Sequence, residues 1–315
     1  MKLVTYENAN GRALGVVEGS SVVDVAEALE WGGLLPKPEA ALRAAVEKLE
    51  AGDGPPLDMI DLISRGPEYL AALGQVTSAA ASAAASEPGL LTPLARARLR
   101  APIARPPKIT CVGLNYADHA REQGIEPPET PVFFLKSVNT IIGPGDPVRL
   151  PPNTEQPDYE AELAVVIGKG GSRIPQERAW EHVAGYTLLN DVTARDMQHG
   201  DKQWFRGKSC DTFAPIGPWI VTADEIPDPH NLAISLTLNG ETMQDSSTSN
   251  LIHRIDFLIS YLSQSLTWEP GDLISTGTPP GVGVFRKPPV FIKAGDQMSV
   301  TVEGVGTLTN PVVGP

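Results

Sequence analysis

The first 24 residues alternate in short β-like pieces: KLVTYE, a turn over Asn8-Ala9-Asn10-Gly11, RALGVVEG and SVVDV. An Asn-Gly step between two such runs predicts a hairpin, because a two-residue turn of the primed type needs residues that tolerate positive φ. Residues 24–51 are dominated by Ala, Leu, Glu and Lys and predict helix. Residues 77–87, TSAAASAAASE, are a low-complexity stretch that reads as helix or linker. Pro93, Pro102, Pro106 and Pro107 then mark an extended connector, which places a boundary near residues 100–107. The expected division is a small N-terminal α+β domain over 1–104 and a larger domain over 105–315. In the second part KITCVGLN, VFFLKS, YEAELAVVIG, GYTLLND, PIGPWIVT, LAISLTLNG, DLISTGT and QMSVTVEG all read as strands between Gly, Pro and Asp clusters. Helix is expected only around 115–123, 175–182 and 250–265. Many short strands with few helices predict a mixed α/β, β-rich roll or barrel. The regular strand–helix alternation of a doubly wound fold is absent.

Composition narrows the function without naming it. The chain has 315 residues and a net charge of −13. Nucleic-acid binding rests on clustered Lys and Arg, so nucleic acid is not an expected partner. Residues 194–208 go against the overall balance: Arg195, Lys202, Arg206 and Lys208 face only Asp196 and Asp201. A local basic excess of this kind suits an anion. Cys111 and Cys210 lack metal-type spacing and are too few for a disulfide framework. No apolar run approaches 18 residues and the start has no apolar signal core, so a cytoplasmic protein without a membrane partner is expected.

The candidate chemistry begins at Asp158-Tyr159-Glu160-Ala161-Glu162-Leu163-Ala164-Val165-Val166-Ile167. Successive side chains of a strand point to opposite faces, so Glu160 and Glu162 share one face and Ala161, Leu163, Val165 and Ile167 the other. The two carboxylates then lie about 7 Å apart along the strand. A hard cation such as Mg²⁺ or Mn²⁺ would relieve their repulsion. Asp191, ending the apolar run GYTLLND, offers a third acid. The bland alternatives are a solvated strand face and, for Asp191, the N-cap of a following helix. Separately, in GLNYADHARE, Asn115 could cap a short helix that sets His119 and Glu122 on one face. A carboxylate beside an imidazole suits a general base, although an exposed helical pair looks the same in sequence. The loop Gln123–Pro128 has a Gly hinge and two prolines, as a mobile lid or a plain surface loop would. Trp204, Phe205 and Trp219 read as core or substrate-wall residues.

Taken in order, VGLNYADHAREQG, PVFFLKS, PDYEAELAVVIGKGG, GYTLLNDVTARDMQ, GKSCDTFAPIGPWIV and DLISTGTPPGVG resemble the fumarylacetoacetate hydrolase family, with its acylpyruvase, isomerase and decarboxylase members. The resemblance covers roughly residues 105–312. It implies a β-roll catalytic domain behind a small N-terminal domain, and commonly a homodimer. It implies Glu160, Glu162 and Asp191 as ligands of Mg²⁺ or Mn²⁺, with Ca²⁺ a further candidate. It implies His119 and Glu122 as a water-activating dyad, and Lys208 as a lysine near the metal that binds a substrate oxygen. Gln198, Thr278 and Lys136 are implied as substrate contacts. Some members add a fourth acid just before the His segment. This chain has none there, so water is expected to complete the site.

The expected substrate is a small 2-oxo acid. The first reading is hydrolysis of a C–C bond in an acylpyruvate-like 2,4-diketo acid, giving pyruvate and a carboxylic acid. The alternative is isomerisation or decarboxylation of a 2-oxo or 2-hydroxy-dienoic diacid, or of oxaloacetate, on the same metal site. A third reading is a protein that binds metal or metabolite without catalysis, since a fold alone proves no activity.

Overall fold

The computed structural model describes residues 1–9, 11–35, 39–51, 54–83 and 90–315. The N-terminal hairpin forms as expected: β1 (Lys2–Asn8) pairs antiparallel with β2 (Gly11–Glu18), with Asn8 opposite Gly11. Asn10 itself lies outside the described residues. After β3 (Ser21–Asp24), the helical stretch expected over 24–51 is two helices, α1 (Val25–Leu34) and α2 (Ala40–Glu50). Asp24 caps α1 by accepting from the amides of Ala26 and Glu27.

The short α3 (Met59–Ser64) precedes α4 (Pro67–Ala83), which starts on a proline where no amide partner is needed. Residues 77–83 of the Ala/Ser stretch are the end of α4, so there the helix alternative holds; 84–87 lie outside the described residues. Composition alone did not reveal that this helix begins ten residues earlier. Val76, Thr77 and Ala80 are buried along it, so tertiary packing, not propensity, sets its extent.

Short strands β4 (Leu91–Pro93) and β5 (Arg98–Arg100) lead to β6 (Ile109–Gly113), α5 (Ala117–Gln123) and β7 (Val132–Leu135). Then come β8 (Ile141–Ile142), β9 (Val148–Arg149), β10 (Pro157–Asp158), β11 (Ala161–Ile167) and β12 (Val183–Asn190). Next are β13 (Thr193–Ala194), α6 (Arg195–Gly200), α7 (Phe205–Lys208), β14 (Ala214–Thr222), β15 (Ala233–Leu238) and β16 (Glu241–Ser247). The chain closes with α8 (Ile255–Ser263), β17 (Leu273–Ser275), β18 (Gln297–Val302) and β19 (Gly306–Val313).

Helix forms where the pattern places it at 115–123 and 250–265. At 175–182 it is the tighter 3₁₀ form, over Gln176–His182. The short helices α6 and α7 go unseen in sequence because neither is long enough to show an amphipathic period.

The strands form a mixed, strand-rich architecture. A twelve-stranded sheet runs β4-β3-β2-β1-β14-β12-β11-β17-β6-β7, with β5 added on β1 and β8 on β14. A five-stranded sheet runs β16-β15-β18-β19-β9. The large sheet crosses the expected boundary at 100–107, because β1 pairs with β14 through Leu3 and Ile220.

One core lies between the two sheets and takes Ala161, Leu163, Val165 and Ile167 from β11. Another lies under α1–α4 and takes Ala164 and Val166 from the opposite face of the same strand. Strand β11 is therefore buried on both faces, which the sequence pattern foresaw for one. Among the described residues, no helix is long and apolar enough to cross a membrane.

A chain beginning at residue 105 would leave the β1 side of β14 unpaired and expose Ala214, Ile216 and Ile220. Such an edge invites aggregation. The truncated protein is expected to be insoluble or to lack a cooperative melt; a soluble, cooperatively melting 105–315 fragment would show that the second part folds alone.

Candidate metal centre and its dyad

The strand alternation that defines β11 begins one residue before it, so Glu160 and Glu162 emerge at its start. Asp191 follows directly on the paired strand β12. Two backbone links fix the three: the Asp191 amide donates to the Glu160 carbonyl (2.8 Å), and the Glu160 amide donates to Asn190 Oδ1 (3.0 Å). The three carboxylates are buried and each places an oxygen within 4.8 Å of the others. Asp191 caps no helix, since α6 starts at Arg195. The solvated-face alternative is likewise excluded by burial.

Like charges at that spacing in a dry interior repel strongly, and the surroundings answer with cations. Lys208 Nζ lies 2.7 Å from both Glu160 Oε2 and Asp191 Oδ2. Lys136 Nζ lies 2.6 Å from Asp191 Oδ1 and donates to the Val192 carbonyl. Arg195 spans Asp158 (2.9 Å) and Glu160 (2.7 Å).

Burial alone would raise the Glu160 carboxyl, but Lys208 and Arg195 outweigh it and hold it down at about 2. Glu162 meets the opposite balance: burial, then the charges of Asp191 and Glu160, push its carboxyl well above the ordinary range. Burial opposes the Lys208 charge, yet Asp191 and Glu160 hold its ammonium above the usual value. Four buried carboxylates, Asp158 included, thus face three buried cations. The donor set is all oxygen and one member is driven towards neutrality, which fits a hard divalent cation taking up the surplus.

Two of the implied substrate contacts have other duties. Lys136 is fully enclosed, pairs with Asp191 and does not line the cavity. Lys208 does line the cavity, but its ammonium is already shared between Glu160 and Asp191.

The dyad forms on α5. His119 Nδ1 and Glu122 Oε2 are 2.8 Å apart, and Glu122 Oε1 accepts from the Gly281 amide (2.9 Å). His119 is buried while Glu122 is exposed, so the pair is sheltered at its imidazole end only. Gly281 has φ +100, and a Cβ there would stand 2.1 Å from the Met243 carbonyl oxygen, so glycine is required at this contact. Asn115 does not cap α5, whose N-cap is Tyr116. Its side chain instead donates to the carbonyls of His253 and Thr276 and accepts from the His253 amide. It therefore ties the turn before the dyad to the β17 loop. Gly124, in the left-handed region, ends α5 and starts the suspected lid loop.

A cavity of about 110 Å³ joins His119 to Glu160 and Glu162, and Gln198, Trp204 and Thr278 also line it. Gln198 accepts from Arg195 Nη1 (3.1 Å). Trp204 packs edge-on against Phe134 and occupies the space that a Cβ on Gly113 would need. It is a wall residue, whereas Phe205 is 53% exposed and is neither wall nor core. Trp219 donates its indole N–H to the Val305 carbonyl, away from the cavity. Of the basic run, Arg195 and Lys208 reach the site, while Lys202 and Arg206 stay exposed and Arg206 pairs with Asp201.

Sequence reasoning missed the supports of these groups. Asp158 accepts from Arg195 and from the amides of Gly283 and Val284. Glu162 accepts from Ser275 Oγ and the Gly277 amide. Asp158 stood in the quoted motif as an acid two residues before Glu160, which was a usable signal. Ser275 and Asn190 carried none, since each lies inside an apolar run.

The family model described as "Fumarylacetoacetate (FAA) hydrolase C-terminal" matches residues 108–313. The chain is 52% identical over 215 residues to a protein of Bos taurus named oxaloacetate tautomerase FAHD2A, mitochondrial, covering 68% of each chain. That name places the relative in mitochondria, whereas the lack of an apolar signal core or long apolar run leads to the expectation of a cytoplasmic protein here. Among solved structures, a 5-carboxymethyl-2-hydroxymuconate delta-isomerase of Mycobacterium smegmatis has a TM-score of 0.72 and 37% identity, covering 100% of this chain and 99% of that one. A maleylpyruvate hydrolase of Sphingobium sp. SYK-6, in complex with manganese(II) and pyruvate, has a TM-score of 0.72 and 30% identity over 100% and 99% of the chains.

Burial and then the charges of Asp191 and Glu160 push the Glu162 carboxyl upward, so a bound cation competes with protons for it. Mn²⁺ uptake is therefore expected to release protons and to tighten as pH rises. Calorimetry in buffers of different ionisation enthalpy measures the release. E162Q should abolish it and weaken Mn²⁺ binding at least about tenfold; unchanged affinity would remove Glu162 from the ligand set.

Proposed function

The chain belongs to the fumarylacetoacetate hydrolase family and is an enzyme of it, and from that premise we propose that it interconverts the enol and keto forms of oxaloacetate, with a divalent cation held by Glu160, Glu162 and Asp191. The observation that carries this reading is one small cavity lined by Glu160, Glu162 and His119, with Asp191 grouped behind the two glutamates and Glu122 2.8 Å from the His119 ring. At about 110 Å³ it is far below the several hundred Å³ of sites for drug-sized ligands, and it suits a four-carbon acid. The 52% identity to a protein named oxaloacetate tautomerase supports the same choice over the C–C hydrolysis ranked first in sequence.

When bound, the cation supplies Lewis-acid stabilisation of negative charge on an enolate oxygen. The chain's own groups move the proton. In the keto-to-enol direction, His119 takes a proton from C3, and the electron pair of that C–H bond becomes the C2–C3 double bond. Glu122 on Nδ1 fixes the tautomer that leaves Nε2 free as base and stabilises the imidazolium. The proton is returned to the C2 oxygen, and the reverse direction runs the same steps backwards. The His119 ring packs 5.8 Å from that of Phe285, which also lines the cavity. The cluster of four carboxylates and three cations becomes cationic once a divalent ion is added, which complements an anionic substrate.

A second reading keeps hydrolysis, because the same dyad can deprotonate water and a 30% identical structure is a maleylpyruvate hydrolase. The two separate in one assay. With Mn²⁺, the protein should speed the enol-to-keto conversion of oxaloacetate, followed by ultraviolet absorbance, and release no pyruvate from acylpyruvates. Cleavage of acylpyruvates without tautomerisation would replace the proposal by the hydrolase. In the tautomerase reading H119Q is expected to lower kcat about 10²- to 10⁴-fold with Mn²⁺ affinity kept; a rate within about threefold of the unaltered enzyme would remove His119 as the base.

A further inference from the structure

Gln244 is fully buried on β16, in the sheet facing the one that carries the acids. Its amide is used completely. Oε1 accepts from the Ala161 amide (2.9 Å), and Nε2 donates to Thr278 Oγ1 (2.8 Å) and to the Pro279 carbonyl (2.8 Å). The orientation of this amide is settled chemically, because a peptide N–H can only donate and a peptide carbonyl can only accept. Oxygen must face Ala161, and nitrogen must face Pro279 and Thr278.

This has a consequence for Thr278. Its hydroxyl oxygen accepts the Gln244 hydrogen, so its own proton must point elsewhere. Among the described residues, Gln244 is the one hydrogen-bond partner of that hydroxyl. Thr278 is 6% exposed and lines the cavity with Glu160 and Glu162. We propose that Gln244 is a positioning residue that makes the Thr278 hydroxyl an obligate donor into the cavity, aimed at an oxygen of a 2-oxo acid.

The placement is reinforced at both ends. Ala161, which donates to Gln244, lies between the ligand carboxylates Glu160 and Glu162. Thr278 follows Gly277, whose amide donates to Glu162. One buried amide from the second sheet therefore sets the metal-bearing strand and the substrate-facing loop relative to each other. A hydroxyl left free to choose would divide its time between donating and accepting, and an acceptor lone pair facing an anionic ligand is repulsive.

The inference rests on the reading of the site as one for 2-oxo acids, but not on the reaction that follows. Its test is oxalate binding to the Mn²⁺-loaded protein by calorimetry, with Mn²⁺ affinity and melting temperature measured alongside. T278V should weaken oxalate binding about tenfold to a hundredfold, as loss of a hydrogen bond to a charged group does, while T278S binds as the unaltered protein. Q244M should weaken oxalate several-fold, and Q244M combined with T278V should be no weaker than T278V alone, the non-additivity of a shared route.

Q244E should be worse than Q244M, because a carboxylate there accepts the Thr278 proton and turns it away from the cavity. Effects of Q244M and T278V that multiply, Q244E binding as tightly as Q244M, or Q244M matching the unaltered protein would each overturn the proposal. If neither Gln244 variant folds, equal oxalate binding by T278S and T278V overturns it. Normal oxalate results with no turnover of oxaloacetate would defeat the tautomerase reading alone; no oxalate binding by the unaltered protein would overturn both.

Discussion

Three carboxylates held within 4.8 Å in a buried pocket are the constraint from which the rest of this structure follows. Isolated, they could not all stay charged there. The chain meets the cost partly with its own cations. Lys208 bridges Glu160 and Asp191, Lys136 backs Asp191, and Arg195 ties Glu160 to Asp158. Compensation stops short at Glu162, whose partners are a hydroxyl and a backbone amide instead of a cation. That uneven distribution leaves the cluster able to take up a cation, which a closed ion-pair network would not.

The fold supplies the rigidity that such a cluster demands. The acids start on central strands of the twelve-stranded sheet, and β11 is packed on both faces. Loops from three directions are then tied to them by buried polar groups. Asn115 holds the turn before the dyad against the Thr276 carbonyl, Asp158 holds the Gly283–Val284 turn, and Gln244 holds the Thr278–Pro279 step. Each of these side chains is buried and makes several hydrogen bonds, the condition under which polar groups in a core rigidify it. Side chains from α5, the start of β11 and the β17 loop thereby converge on one small cavity.

Much of this was legible in the residues. Alternation around Glu160 and Glu162 gave their shared face, and three-residue spacing gave the His119–Glu122 pair, because both depend only on local periodicity. The ordered motifs then placed Asp191 with them. What stayed hidden depends on distant pairing. Neither the engagement of Lys136 with Asp191, fifty-five positions away, nor the union of β1 with β14 leaves a mark in either local sequence. Asn115 shows the limit well: its type suggested a helix cap, and only the approach of the 253 and 276 segments turns it into a clamp. Of the substrate contacts that the resemblance implied, Thr278 and Gln198 line the cavity, while Lys136 lies outside that lining and pairs with Asp191.

The most direct test is anomalous diffraction at the manganese edge from crystals grown with Mn²⁺. One strong peak coordinated by oxygens of Glu160, Glu162 and Asp191, with Lys208 Nζ drawn away from at least one of its two carboxylates, is the expected result. A peak elsewhere, or no peak with Lys208 still bridging Glu160 and Asp191, would contradict the assignment of these acids as a metal centre.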